Sequence, residues 1–187
     1  VVEDSNCSIE TLIDRFGTEV GDLVDGVTKL TQLNLTDLED AQSRTLRKMF
    51  MAMARDIRVV LVKLADRLHN IQTVEALPEE KRKRFCQETL DIFAPLAGRL
   101  GIFQWKWQLE DGAFRHLSPN RYQVLSRLLD IRHTERAAAM NANMNILKNR
   151  LQNAGVTAEI SGRAKHVYSI DQKMRHSGIE IDEVYDL

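Results

Sequence analysis

Lys63-Leu64-Ala65-Asp66-Arg67-Leu68-His69-Asn70-Ile71-Gln72-Thr73 sets Asp66, Asn70 and Thr73 at i, i+4 and i+7, the spacing of one face of a helix. Such a stripe is normally apolar. Here it holds a carboxylate, a carboxamide and a hydroxyl, while Leu61, Leu64, Leu68 and Ile71 form a separate apolar face. One side of this helix packs and the other can do chemistry. A solvated polar face is the plain alternative, because short motifs also arise by chance, and the rest of the chain has to decide. His69, three residues after Asp66, has the spacing to add a second metal donor; a buried or capping histidine is the simpler reading.

Outward from this stretch the chain reads as helix after helix, with only three prolines and nine glycines to punctuate it. The Asp66 helix starts near Asp56 and ends before Pro78, whose ring suits the first turn of the next helix. That helix runs through Phe85, Leu90, Ile92 and Phe93 to Pro95, which must kink or break it. Its opening run, Glu79-Glu80-Lys81-Arg82-Lys83-Arg84, is acidic then basic. An acidic first turn suits the helix dipole, so this run is a solvated surface rather than a binding patch.

Towards the N-terminus, Ser8 can cap a short helix ending before Gly17, and Val20, Leu23, Val24, Val27 and Leu30 recur at helical spacing. Thr36-x-x-Glu39 is a capping box opening a long amphipathic helix whose methionines fill a core. Trp105 and Trp107, two apart, cannot share a helical face, and at least one belongs at an inter-helix or inter-domain contact. Towards the C-terminus, Ser118-Pro119 opens a helical stretch that reaches Asn153 and closes at Gly155. The alternation in Val156-Thr157-Ala158-Glu159-Ile160 then suits a strand, and Gly162 marks a tight entry into another helix.

Composition bounds the function. At 187 residues and 43% apolar content the chain can bury a sizeable core. Its 26 basic and 27 acidic residues nearly cancel, so no global field favours nucleic acid or an anionic membrane, and phosphate recognition has to come from local clusters. No apolar run has the length of a membrane span, and Val1-Val2-Glu3-Asp4-Ser5 has neither the basic start nor the apolar segment of a secretory signal. Cys7 and Cys86 are too few for a disulfide framework or a four-cysteine zinc site. The chain also begins without Met and reads as cut at both ends.

A second stretch with chemical content is Gly162-Arg163-Ala164-Lys165-His166-Val167-Tyr168-Ser169-Ile170-Asp171-Gln172-Lys173-Met174. On a helix, Lys165, Ser169 and Lys173 line up at i, i+4 and i+8, with Arg163 near the helix N-terminus. Two ammonium groups, a guanidinium and a hydroxyl suit a polyphosphate; an ordinary basic surface helix is the alternative. Gly162 would let a ligand approach the backbone. Asp182, Glu183 and Asp186 follow closely enough to hold a Mg²⁺ shared with phosphates.

Five ordered blocks, Val1 to Ser5, Val24 to Leu30, Lys63 to Thr73, Glu88 to Gly101 and Gly162 to Met174, together resemble the RelA/SpoT enzymes that make and degrade the alarmone (p)ppGpp. The resemblance covers essentially the whole chain. It implies a mainly α fold: a helical HD-type hydrolase domain at 1–117, lacking its N-terminal part. At 118–187 it implies bridging helices and the truncated start of an α/β nucleotidyltransferase-like synthetase domain. The implied hydrolase removes the 3′-pyrophosphate of (p)ppGpp with Mn²⁺. Asp66 matches a metal ligand, Asn70 and Thr73 match nucleotide contacts, and Glu3-Asp4 match the acidic pair that activates water and polarises the phosphate. His69 matches no ligand position.

The implied synthetase moves the β,γ-pyrophosphate of ATP to GDP or GTP. Arg163, Lys165, Ser169 and Lys173 match ATP-phosphate contacts and Asp186 a Mg²⁺ ligand, while Asp171 departs from the pattern, where an aromatic is common. The family's His-Asp dyad would precede Val1, so of the implied protein ligands of Mn²⁺ only Asp66 is present, and this segment by itself is expected to be inactive. The alternative within the family is mainly a synthetase, a GTP diphosphokinase with a regulatory, inactive HD domain. A bacterial cytoplasmic setting is implied, with an organelle also compatible, and ribosome association only through regions absent here.

Overall fold

The computed structural model describes residues 7–31 and 56–184, apart from 132, 163 and 164. Nine α-helices appear among them: α1 (Ile9–Phe16), α2 (Thr18–Thr31), α3 (Ile57–Gln72), α4 (Glu79–Glu88), α5 (Ala94–Arg99), α6 (Phe103–Leu117), α7 (Pro119–Ile131), α8 (His133–Asn153) and α9 (Val167–Ser177). The fold is helical, and no strand occurs among the described residues. The expected strand at 156–160 is irregular chain, exposed apart from half-buried Ile160. A strand exists by pairing its backbone with a neighbour, and the described residues supply none. The Thr36–Glu39 capping box and the methionine run lie outside the described residues.

Local signals set several helix ends where expected. Ser8 caps α1, its hydroxyl accepting from the Thr11 N–H at 3.2 Å, and Gly17 turns the chain into α2 at φ 87°, a region costly for other residues. Asp56 caps α3 by accepting from the Arg58 N–H at 2.9 Å. Pro78 sits one residue before α4 rather than inside its first turn.

Pro95 does not stop the helical run. Its missing N–H falls in the first turn of α5, and residues Thr89–Phe93 form a π-helical turn in which the Ala94 N–H bonds the Thr89 carbonyl. Widening one turn lets α4 run on into α5 without the steric clash a straight ladder would impose.

The described residues fall into two compact units divided between Ala113 and Phe114, within α6. In the first, α1 and α2 form a hairpin, α2 lies on α3, and α3, α4 and α5 all meet the π turn. Its core includes Val60, Leu64, Ile92, Leu96 and Leu109, each at most 1% exposed. The second buries Phe114, Leu125, Leu129, Ile170, Met174, Ile181 and Val184 around an aromatic centre. There Phe114 meets Tyr122 and Tyr168 edge-on, with ring centroids 6.0 and 5.5 Å apart.

Candidate functional site

The polar edge of α3 is present. Asp66 is exposed, and its carboxylate accepts from Lys63 Nζ at 3.2 Å and from Asn70 Nδ2 at 3.0 Å. Asn70 is half-buried, and its Oδ1 lies 3.4 Å from His69 Nδ1. Thr73 is the C-cap of α3, one residue past the helix proper, its hydroxyl donating to the Asn70 carbonyl at 3.5 Å. The three side chains thus follow one edge down to the helix end. His69 is exposed in the last turn, neither buried nor acting as the cap.

What holds this edge is a residue the periodicity did not single out. Leu64 and Ile71 are buried as expected, but the position between them on the packed face is Arg67, only 7% exposed, while Leu61 and Leu68 are half-buried. Its guanidinium carbon stands 4.0 Å from the centre of the Phe85 ring and 3.9 Å from that of Phe93. One arm donates to Glu88 at 3.0 Å and the other to the Phe85 carbonyl at 3.3 Å. Burial pushes the Arg67 guanidinium down from its ordinary value, against the opposing pull of Glu88. The spacing 64, 67, 71 carried the signal; the partner Glu88, 21 residues away, did not show in any local pattern. Cys86 is wholly buried beside this cluster, and burial pushes its thiol up to about 11.

As a metal donor, Asp66 offers a hard carboxylate with lone pairs remaining beyond the two hydrogen bonds it accepts. It fits one donor position. Among the described residues no group of three or more His, Cys, Asp or Glu side chains could hold a metal ion. Glu3 and Asp4 lie outside the described residues.

The second constellation is arranged differently from expectation. Helix α9 begins only at Val167 with His166 as its N-cap, so Lys165 precedes the helix, and only Ser169 and Lys173 share a face at i, i+4. A Cβ on Gly162 would meet Met144 Sδ at 3.1 Å and Met140 Cγ at 3.2 Å, so the bare side of this glycine lies against α8 rather than open to a ligand. Asp171 is fully buried, ion-paired to Arg121 of α7, with Arg175 Nε 2.8 Å from its other oxygen. That second contact is close but poorly aligned, and Oδ2 accepts no hydrogen bond. The extra acid is therefore neutralised in the interior of this unit. Glu183 closes a capping box by accepting from the Glu180 N–H at 3.0 Å, while Arg163, Asp186 and the side chain of Asp182 lie outside the described residues.

A model of the HD domain family matches residues 1–103, more than half of the chain. Helical unit and match together define the class, a metal-dependent HD-type domain. The chain is 45% identical over its whole length to a probable guanosine-3′,5′-bis(diphosphate) 3′-pyrophosphohydrolase of Synechocystis sp., and 45% identical, again over its whole length, to a GTP pyrophosphokinase of Myxococcus xanthus. It is 44% identical over 93% of its length to the bifunctional (p)ppGpp synthase/hydrolase SpoT of Escherichia coli strain K12. In each case it spans 25% of the relative's length. The chain belongs to the HD domain family, and to its RelA/SpoT type.

Proposed function

We propose that the full-length protein is a bifunctional enzyme of (p)ppGpp metabolism, and that this chain supplies one wall of its hydrolase site and the ATP-facing start of its synthetase. In this reading 1–117 is the hydrolase part and 118–187 the bridging helices and the opening of the synthetase. The observation that carries it is the polar Asp66–Asn70–Thr73 edge, held on a buried clamp, in a chain whose relatives are named for this chemistry.

In the hydrolase reaction water adds to the phosphorus attached at the 3′-oxygen, the 3′-O–P bond breaks, and GDP or GTP leaves with a proton on that oxygen as pyrophosphate is released. Asp66 would hold a divalent cation, Mn²⁺ in this reading, which when bound lowers the pKa of water and offsets phosphate charge. Asn70 and Thr73 offer an amide and a hydroxyl to the nucleotide. Glu3 and Asp4 would orient the attacking water and take its proton.

The synthetase reading gives Ser169 and Lys173 of α9, with Lys165 and Arg163 before it, to the phosphates of ATP, and Asp186 to Mg²⁺. The setting proposed is the cytoplasm; no helix among the described residues is long and apolar enough to cross a membrane. A synthetase with an inactive HD domain is not favoured, since relatives named as hydrolases stand beside those named as pyrophosphokinases.

Incubating the full-length protein with ppGpp and Mn²⁺ tests the hydrolase half, GDP and pyrophosphate in equal amounts being expected and a chelator stopping their release. Tight ppGpp binding without turnover under either metal would point instead to a nucleotide-sensing module.

A further inference from the structure

We infer that Arg67 is a positioning residue: its guanidinium, wedged between the rings of Phe85 and Phe93 and tied to Glu88, sets the rotation of α3 about its own axis and so the direction in which Asp66 and Asn70 point. This rests on the phosphohydrolase reading of that edge.

Asp66 and Arg67 are consecutive residues of one helix, so their side chains leave the axis about 100° apart. Asp66 is exposed and Arg67 is 7% exposed. Whatever fixes the direction of one therefore fixes the other. Leu64 and Ile71 also hold α3 to its neighbours, but apolar contact is non-directional and tolerates a small roll of the helix. A planar guanidinium does not: it is stacked 4.0 and 3.9 Å from two ring centres while its arms reach Glu88 at 3.0 Å and the Phe85 carbonyl at 3.3 Å. Both rings and both acceptors come from α4 and the π turn after it, so the lock joins α3 to one rigid stretch.

A buried ion pair is weak evidence of added stability, because an apolar side chain of similar size often packs as well. What the guanidinium adds over such a side chain is orientation. With side-chain tips about 5–6 Å from the helix axis, a roll of about 20° would carry the Asp66 carboxylate about 2 Å, and misplacement by about 1 Å can cost about 100-fold in rate.

Two variants of the full-length protein test this: Arg67→Met fills the space without charge or fork, and Arg67→Lys keeps the charge without the plane. Each is assayed for ppGpp hydrolysis with kcat and KM separated, for thermal midpoint, and by a crystal structure without nucleotide. With Arg67→Met folded at the assay temperature, kcat/KM is expected to fall about 100-fold, with Arg67→Lys recovering part of the loss, and α3 to be rolled relative to α4. Hydrolysis within twofold of wild type in a folded Arg67→Met, or an unrolled α3, overturns the inference. If Arg67→Met does not fold, Arg67→Lys decides: full activity overturns the inference, and a loss of activity in a folded protein supports it. A wild type that does not hydrolyse ppGpp sinks the phosphohydrolase reading instead, and the crystal structure then judges Arg67 alone.

Discussion

Asp66 and its neighbour Arg67 differ sharply in environment, one exposed with its charge met by Lys63 and Asn70, the other interior and sandwiched by rings. Spacing put Asp66, Asn70 and Thr73 on one face of a helix and left a solvated polar face as the alternative. It placed Leu68 on the packed face and passed over Arg67, because periodicity ranks residues by type and a guanidinium is not expected inside. Only its tertiary partners, Phe85, Glu88 and Phe93, make that position tolerable.

Cys86 beside them carries a testable consequence. Its thiol, pushed up to about 11 by burial, stays protonated in the folded protein above the pH at which the unfolded thiol ionises, about 8.5. The stabilisation this represents is complete below that pH and is lost as pH rises towards 11. At pH 8 a maleimide should modify Cys7 and leave Cys86 untouched until denaturant is added. The fall in urea midpoint between pH 8 and pH 10.5 should be smaller in Cys86→Ala than in wild type, and equal falls would refute the argument.

At the scale of elements, capping and turn chemistry were legible wherever the signal is local: Ser8 and Asp56 at helix starts, Gly17 and Gly155 at positive φ after helix ends. Pro95 shows the limit. A local rule reads it as a kink or a break, and the helix does not break there because the turn before it widens. The alternation at 156–160 likewise says what a strand would need and nothing about whether a partner is present.

Helix contacts offer two tests at this scale. A Cβ on Gly112 of α6 would stand 2.9 Å from Ile71 Cγ1, a buried atom with little room to yield. Overpacking costs about 1–3 kcal/mol, against about 1 kcal/mol of helix propensity gained over glycine. Gly112→Ala should therefore lower stability by about 1 kcal/mol in urea unfolding; a gain would show that α3 and α6 move apart freely.

In the second unit, Arg121→Met leaves Asp171 with only the misaligned Arg175. Stranding a buried charge costs about 3–5 kcal/mol, and the half-exposed Arg121 should fall at the low end. The double variant Arg121→Met/Asp171→Leu should recover most of that loss, and a double variant no better than the single would mean the pair is not what fastens α9 to α7.

For the molecule as a whole, the mainly helical architecture and the family could be read from five ordered blocks, because apolar periodicity and motif order are properties of the chain itself. The line-up of Lys165, Ser169 and Lys173 on one helix could not, because where a helix starts depends on its cap, and α9 starts two residues after Lys165. Nor could the inward turn of Asp171, which depends on Arg121, 50 residues earlier.

The central claim is that the edge of α3 is one wall of a phosphohydrolase site with Asp66 as a metal donor. Its most direct test is Mn²⁺-dependent pyrophosphate release from ppGpp by the full-length protein and by its Asp66→Ala variant, alongside their thermal midpoints. Release should drop to background in Asp66→Ala while the midpoint stays close to wild type, since an exposed carboxylate contributes little to folding. Undiminished release by a folded Asp66→Ala would contradict the account.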